Sequence, residues 1–288
     1  MADAHGGVVH VFERECSVQR RHQKVIEESP SPAITPALRE RLTAAALDAA
    51  RAVSYSSTGT VEFLVDPAGP DIDRAPFYFL EMNTRLQVEH PVTEQVAGVD
   101  LVRAQLIVAS GEPLPWDQGA LIQRGHAVEA RVYAEDPSCG FLPQAGRLLL
   151  YREPRLPGVR VDAGFVEGDE ISIHYDPLLA KVIASAETRD LAIARLIAAL
   201  RGYPVLGIRT NIPYLLRILE HPRFQSGDVD TGFLESESDA LAEGADTVIP
   251  AAVRAAMAAH EEAATNCGPL GQPHSEWDPW RRTSGWRA

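Results

Sequence analysis

The part of the chain after Gly125 is divided into short strand-like runs, and this pattern limits the fold more than any other feature. Glycine and proline separate these apolar runs from one another. The runs are His126–Ala134, Arg147–Arg152, Val159–Asp162, Ile171–Tyr175 and Leu178–Ser185. A helix with apolar residues at helical spacing, a short strand and a second helix follow them; these are Thr188–Arg201, Pro204–Ile208 and Asn211–Glu220. Strands mixed with helices in this way predict an α+β fold.

The segment before Gly125 predicts helices around a hairpin. Thr35 suits a helix N-cap and Pro36 the first helical position, so we expect a helix from there to about Val53. Asp100 is the candidate N-cap of another helix. The other elements indicated here are strands at Val8–Phe12, Thr58–Asp66 and Phe77–Asn83, and a helix at Leu101–Ser110.

Composition excludes several classes of protein. The 288 residues carry a formal net charge of −13, which argues against a nucleic-acid partner. The cysteines Cys16, Cys139 and Cys267 are too far apart in sequence for a metal-ligand or disulfide pattern. No apolar run reaches membrane-spanning length and no signal peptide opens the chain. We therefore expect a cytoplasmic protein with neither a membrane nor a nucleic acid as partner.

A basic strip occupies residues 19–24. As a strand, it would place odd-numbered residues on one face and even-numbered residues on the other. Such a strip suits a phosphate or another oxyanion. It equally suits a solvated edge strand whose charges discourage aggregation. Its residues are Gln19, Arg20, Arg21, His22, Gln23 and Lys24.

Two acidic residues face each other if the predicted hairpin has the register Val65–Tyr78. That register pairs Leu64 with Phe79, Glu62 with Glu81 and Thr60 with Asn83. Opposed carboxylates repel each other. A shared divalent cation such as Mg²⁺, completed by phosphate oxygens and water, would relieve the repulsion. The alternative is a pair of acids on a solvated face.

Polar residues follow the second hairpin strand directly, at 81–91, where many enzymes place catalytic groups. Arg85 can bind an oxyanion and Glu89 can accept a proton; a plain charged loop is the alternative. Further along, Glu129 and Arg131 lie on one face of a predicted strand. They predict an ion pair, or an arginine that stabilises a negative intermediate.

Together these features resemble the biotin carboxylase family of the ATP-grasp superfamily, over nearly all of residues 8–235. Several phrases carry the resemblance in the family's order, and 79–93 is the most specific. They lie at 13–17, 19–24, 60–64, 79–93, 125–136, 141–143, 175–177 and 207–211. The resemblance implies an antiparallel sheet with helices, the C-terminal half of an ATP-grasp domain, followed by the family's β-rich C-terminal domain.

The resemblance also implies a function. In the family, ATP and bicarbonate form carboxyphosphate, which breaks down to CO₂ and phosphate, and a ureido nitrogen of biotin is carboxylated. The biotin is attached to a carrier domain, and a carboxyltransferase β subunit uses the product; the intact enzyme is expected to be a homo-oligomer. The implied division of this chain is 1–115, 116–236 and 237–288, the last holding a helix at Ala251–Ala264 and the start of a further domain.

Site roles carry over residue by residue as implications of the resemblance. Glu89 would be the base that deprotonates bicarbonate, and Arg131 would stabilise the enolate-like biotin anion. Lys24, Arg85, Gln87 and the backbone of Val88 would surround bicarbonate. Gln19 and His22 would contact the nucleotide. The acids Glu62 and Glu81, with Asn83 beside them, would hold Mg²⁺ or Mn²⁺.

Some family parts are absent from this sequence, and other functions stay open. The family's first α/β domain, most of its glycine-rich lid and two ATP-binding lysines would precede Met1, and no Ala-Met-Lys-Met biotin motif occurs. We therefore expect residues 1–288 alone not to turn over ATP. The alternatives are another ATP-grasp ligase, such as a carbamoyl-phosphate synthetase or a phosphoribosyl-aminoimidazole carboxylase, or a non-catalytic assembly module.

Overall fold

A computed structural model describes residues 1–67, 69 and 71–242 of the chain. Its strands are β1 (Gln19–Arg20), β2 (Gln23–Lys24), β3 (Ile26–Ser29), β4 (Thr60–Val65), β5 (Phe77–Asn83), β6 (His126–Tyr133), β7 (Glu135–Asp136), β8 (Leu142–Pro143), β9 (Gly146–Arg147), β10 (Leu150–Tyr151), β11 (Val159–Ala163), β12 (Glu170–Ile171), β13 (Leu178–Ala186) and β14 (Val205–Leu206). Its helices are α1 (Pro36–Ala52), α2 (His90–Ala97), α3 (Leu101–Ala109), α4 (Arg189–Arg201), α5 (Ile212–Glu220), α6 (Pro222–Ser226), α7 (Phe233–Ser236) and α8 (Ser238–Leu241). The helix predicted at Ala251–Ala264 lies outside the described residues.

A four-stranded antiparallel sheet, in the order β11-β13-β6-β3, forms the centre of the fold. All eight residues of β6 are buried, because helices cover both faces of the sheet. The even-numbered residues of β6, such as Val128, join the core under α4, whereas Ala127 packs with Val92 and Val96 of α2. Since side chains alternate along a strand, α4 and α2 cover opposite faces. This mixture of helices and antiparallel strands confirms the predicted α+β fold.

The hairpin of β4 and β5 has the predicted register only at one end. Glu62 pairs with Glu81 and Thr60 with Asn83, as expected. A register shift at Glu62 then brings Val65 opposite Phe77 instead of Tyr78. The prediction was wrong there because it assumed a regular ladder, and a bulge places two residues of one strand opposite one of its partner.

Helix starts agree well with the sequence. Thr35 Oγ1 accepts a hydrogen bond from the Leu38 N–H at 3.2 Å, and Pro36 begins α1. Asp100 caps α3 in the same way. These predictions are confirmed because an N-cap depends on residues within one turn of each other.

Two predicted strands are wrong. Within Val8–Phe12 only a bridge between Val8 and Ala2 forms. The His10 N–H bonds the side chain of Gln118, and Phe12 takes a left-handed φ of 63°, which ends the extended backbone. The run Ile171–Tyr175 is a strand only at its first residue, and residues 172–176 are exposed.

The first two parts of the predicted three-part division share one sheet. Strand β3, from the first part, is an edge strand of the central sheet, whose other strands come from the second. The division at 115/116 stays a prediction. None of the helices in the described residues is long and apolar enough to cross a membrane.

Glu28 joins three elements on the α4 side of the sheet. Its carboxylate, 2% exposed, accepts hydrogen bonds from His126 Nε2 at 2.6 Å and from Arg189 Nε and Nη2 at 2.7 and 2.9 Å. Burial opposes the charge, but the hydrogen bonds from His126 and Arg189 hold the pKa of Glu28 below its usual range. Glu28 therefore stays ionised and connects β3 to β6 and α4.

We expect Glu28→Gln to lower the free energy of unfolding by about 3 kcal/mol, because Arg189 loses its buried counter-charge. Denaturant unfolding measures this change. A depressed pKa stabilises the fold above about pH 4 and loses that effect as pH falls through the folded-state value, so the deficit of the variant should shrink in acid. The exposed Glu40→Gln serves as control, within about 0.5 kcal/mol of the parent; an equal effect of both variants contradicts the role of Glu28.

Candidate active site

The basic strip forms a tight hairpin, not one strand. Gln19 pairs with Lys24 across β1 and β2, and Arg21 and His22 form the turn with φ of 50° and 65°. Two left-handed residues in a two-residue turn are typical of type I′. The predicted division into two faces is therefore wrong: Arg21 and His22 are exposed at the tip, whereas Lys24 points into the site.

The carboxylate of Glu89, 2% exposed, lies between two cations. Its Oε1 accepts a hydrogen bond from Lys24 Nζ at 2.6 Å, and its Oε2 accepts one from Arg131 Nη2 at 2.9 Å. Glu89 directly precedes α2, whose packing on the sheet fixes its position. Of the four residues that the resemblance assigns to bicarbonate and the biotin anion as charged groups, the structure thus brings together Glu89, Lys24 and Arg131. Arg85, the fourth, is exposed and donates to the Leu86 carbonyl at 3.2 Å.

The charge on Glu89 is stabilised by its neighbours. Burial opposes ionisation, but the cations of Arg14 and Lys24 outweigh it and hold the pKa of Glu89 below its usual range. Burial raises the pKa of the neighbouring Cys16 thiol, which stays protonated. At neutral pH, Glu89 is therefore a carboxylate with a free capacity to accept a proton.

The acid pair lies beside this ion network. Asn83 Nδ2 donates to Glu62 Oε1 at 3.2 Å and to Glu81 Oε1 at 2.8 Å, so the two acid oxygens lie no more than about 6 Å apart. Lys24 Nζ and Gln87 Nε2 also donate to Glu62 Oε1, at 2.9 and 2.8 Å. Burial opposes the charge of Glu62, yet the hydrogen bonds from Gln87 and Lys24 lower its pKa.

Two carboxylates held this close suit a hard cation that takes its other ligands from phosphate and water. Within the described residues no group of three or more His, Cys, Asp or Glu side chains could hold a metal ion. A cation at Glu62 and Glu81 would complete its coordination with water or with oxygens of a bound phosphate.

Arg131 and Glu129 do not form the predicted ion pair. Arg131 Nε donates to Glu27 Oε1 at 2.6 Å, and its Nη2 reaches Glu89. Glu27 is opposed to Glu129 across β3 and β6, so it lies diagonally from Arg131 on the same face of the sheet. This cross-strand neighbour accepts from Arg131 in place of Glu129.

Three residues that sequence reasoning did not single out complete the site. Arg14 donates to Thr60, Gln87 and Thr93, so it joins β4, the loop and α2. Lys181 Nζ donates to the Val88 carbonyl at 2.9 Å. The side-chain amide of Asn211 makes the backbone hydrogen bonds that a neighbouring strand would otherwise make with the end of β6. It accepts from the Tyr133 N–H at 2.8 Å and donates to the Arg131 carbonyl at 2.9 Å.

Both halves of the chain match known families. Residues 1–116 match the carbamoyl-phosphate synthase L chain, ATP binding domain, and residues 129–236 match the biotin carboxylase C-terminal domain. The chain is 50% identical over 233 residues to a biotin carboxylase of Halalkalibacterium halodurans, with 81% of this chain and 50% of that protein covered. It is 49% identical to the mitochondrial methylcrotonoyl-CoA carboxylase subunit alpha of Mus musculus, over 81% of this chain and 32% of that one.

The chain belongs to the biotin carboxylase family. It spans between a third and a half of the length of these curated relatives. A solved biotin carboxylase domain of the Hydrogenobacter thermophilus 2-oxoglutarate carboxylase, in complex with MgADP, ADP and bicarbonate, superposes with a TM-score of 0.80 at 39% identity. That alignment covers 85% of this chain and 52% of the other. The biotin carboxylase subunit of a pyruvate carboxylase gives the same TM-score and identity, with 53% of that chain covered.

The signal for Arg14 and Asn211 was present in the sequence, because both lie in phrases that resemble the biotin carboxylase family, at 13–17 and 207–211. Their contacts were not visible there. Thr93 lies 79 residues after Arg14, and Arg131 lies 80 residues before Asn211.

We expect Asn211→Ala to lower the free energy of unfolding by about 2 kcal/mol or more. The change leaves the buried Tyr133 N–H and Arg131 carbonyl without partners, at about 1–3 kcal/mol each. Chemical denaturation measures the loss, and the exposed Ser226→Ala is the control. A difference below about 0.5 kcal/mol between the two variants would show that the amide of Asn211 does not hold β6.

Proposed function

We propose that this chain supplies the base and the anion-stabilising arginine of an ATP-dependent ligase that carboxylates biotin with bicarbonate. One observation carries the proposal: the buried carboxylate of Glu89 lies between Lys24 and Arg131. An ionised base beside two cations suits a small anion that must lose a proton. The relatives named biotin carboxylase, and the solved neighbour with MgADP and bicarbonate, support the same chemistry.

In the proposed reaction, Glu89 takes the proton of the bicarbonate hydroxyl. The oxygen that loses the proton then attacks the γ-phosphorus of ATP, the bond to the ADP oxygen breaks, and carboxyphosphate forms. Lys24 stabilises the negative charge that develops on bicarbonate. Carboxyphosphate then splits at its carbon–oxygen bond into CO₂ and phosphate, and the released phosphate takes the proton of the biotin ureido N–H. The nitrogen of the resulting biotin anion, which Arg131 stabilises, attacks CO₂ and forms the N–C bond of carboxybiotin.

Other residues are assigned to binding. Gln87 lies 2.8 Å from Glu62 and from Arg14, so it is held rigidly at the proposed bicarbonate site together with the backbone of Val88. Arg85, exposed at the start of the loop that follows β5, would reach an incoming anion. Gln19 and the exposed His22, on the hairpin, are assigned to the nucleotide.

Glu62 and Glu81 would hold Mg²⁺ or Mn²⁺, with Asn83 orienting both carboxylates. The ion would supply charge neutralisation for the phosphates of ATP. The proposed partners are a biotin carboxyl carrier domain and a carboxyltransferase β subunit. A homo-oligomer is the proposed state of the intact enzyme, in keeping with a relative named as a carboxylase subunit. The cytoplasm is its proposed location.

Arg131→Ala tests the reaction in the holoenzyme that contains this chain. We expect biotin carboxylation to fall by roughly 10²–10³-fold, the usual effect of losing one preorganised charge-stabilising group. Bicarbonate-dependent ATP cleavage should fall much less, because it precedes the biotin step. Both rates are measured on the same preparation, with Arg201→Ala, an exposed ion-pair residue, as control.

An equal loss of both activities in Arg131→Ala would show that Arg131 acts only through the fold. A wild-type holoenzyme without bicarbonate-dependent ATP cleavage would overturn the proposed function itself, and would favour the assembly module.

Glu62→Gln and Glu81→Gln should each weaken Mn²⁺ binding in the presence of ADP. We expect a loss of at least about tenfold in affinity, the lower end of what removing even an indirect supporting group costs a metal site. Electron paramagnetic resonance of free Mn²⁺ measures the binding. The exposed Glu187→Gln controls for net charge. Unchanged affinity in both variants excludes this pair as the metal site.

A further inference from the structure

Two acidic side chains are completely buried on the face of the sheet that α2 covers. Glu27 of β3 and Glu129 of β6 are 0% exposed and directly opposed in the antiparallel ladder. Opposed residues have Cβ atoms about 4.5–5.5 Å apart and point to the same face. On its other side, Glu129 is opposed by the apolar Ile183 of β13. Glu129 therefore faces an acid and a hydrocarbon.

Three of their four oxygens lack a hydrogen-bond partner. Glu27 Oε1 accepts from Arg131 Nε at 2.6 Å. Glu27 Oε2 and both oxygens of Glu129 have none within the part of the chain that the structure describes. Two ionised carboxylates in this position would repel each other in a region without solvent, and an unpaired buried charge is strongly unfavourable. A proton between the two acids removes both problems.

We propose that Glu27 and Glu129 share one proton and together fix the guanidinium of Arg131, a positioning role that rests on the proposed biotin carboxylation. The Glu129 O–H donates to Glu27 Oε2, and Glu27, ionised, presents Oε1 to Arg131. The pair then carries a single negative charge opposite a single positive one. This arrangement leaves only the carbonyl oxygen of Glu129 without a partner.

The surrounding charges support this proton count. The charged groups facing the pair are Arg131, Glu89, Lys24 and Lys181. Lys24 already binds Glu62 and Glu89, and Lys181 binds the Val88 carbonyl and Asp162, so Arg131 is the cation in contact with the pair.

The pKa shifts of the two acids agree with that count. Burial, reinforced by the charge of Glu27, raises the pKa of Glu129 well above its usual range. Burial raises the pKa of Glu27 to about 7, although Arg131 opposes the shift. Both shifts favour a proton retained by the pair, and Glu27, with a pKa of about 7, is the acid that ionises first as the pH rises.

The pair has a consequence for catalysis. Arg131 bridges Glu27 and Glu89. When Glu89 accepts the proton of bicarbonate, it loses its charge and with it most of its hold on Arg131. Glu27 keeps its charge through that step, because its proton partner is Glu129 and not the substrate. Arg131 therefore stays in place for the biotin anion that forms next.

Infrared spectroscopy tests the shared proton without any measurement of activity. In mildly alkaline buffer, the difference spectrum between wild type and Glu129→Gln should contain the carbonyl stretch of a buried, protonated carboxyl group. The band should shift in D₂O. If wild type lacks such a band, both acids are ionised or solvated, and the proposal is overturned.

Kinetics in the holoenzyme test the positioning of Arg131. We expect Glu27→Gln to lower biotin carboxylation by about 100-fold, the effect of a misplacement of about 1 Å, while bicarbonate-dependent ATP cleavage falls far less. Glu129→Gln retains a donor for Glu27 and should keep most of the carboxylation, whereas Glu129→Leu, of similar size, should lose it. Glu28→Gln, on the opposite face of the same strand, should lower the Tm without changing the ratio of the two rates.

The outcomes separate the two proposals. Equal loss of both rates in Glu27→Gln, or equal rates in Glu129→Gln and Glu129→Leu, would overturn the positioning role while leaving the proposed function intact. A wild type without bicarbonate-dependent ATP cleavage overturns the proposed function, and the infrared band still decides whether the two acids share a proton.

Discussion

The ionised carboxylate of Glu89 is buried, and the rest of the site depends on the cost of that burial. A carboxylate removed from water is tolerated only when cations and hydrogen bonds replace its hydration. Here the cations come from distant parts of the chain: Lys24 from the hairpin strand β2 and Arg131 from β6. The charge on Glu89 therefore requires these elements and the start of α2 to meet at one point.

Side chains alternate along the strands of the central sheet, so structural contacts lie on one face and contacts to the candidate site lie on the other. On β3, Glu28 points toward α4 and forms the structural cluster with His126 and Arg189, whereas Glu27 points toward α2 and contacts Arg131. Adjacent acids of one strand thus belong to different networks, because a strand has a period of two. A register slip of one residue between β3 and β6 would exchange the two acids and destroy both networks.

What the sequence predicted correctly was local, and what it missed was not. Thr35 and Asp100 cap helices through contacts within three residues. The predicted register of the β4–β5 hairpin was correct up to Glu62 and wrong beyond the bulge, because no residue type in the sequence indicated a bulge there.

The type I′ turn at Arg21 and His22 was also missed, since such turns usually carry glycine or asparagine. Glu27, the partner of Arg131, lies 104 residues away and belongs to another strand, so only the fold reveals it.

The two cations beside Glu89 are not interchangeable, and their geometry explains why one is lysine and the other arginine. Arg131 must reach Glu27 through Nε and Glu89 through Nη2, and only a planar guanidinium offers donors in two fixed directions. Lys24 is a compact ammonium with three N–H donors. Within the described residues, Glu62 and Glu89 accept hydrogen bonds from two of these donors. The third would be available to an oxygen of a substrate. Arginine thus joins Glu27 to Glu89, and lysine pairs with Glu89 while, under the proposed function, it keeps a donor for the anion that Glu89 would deprotonate.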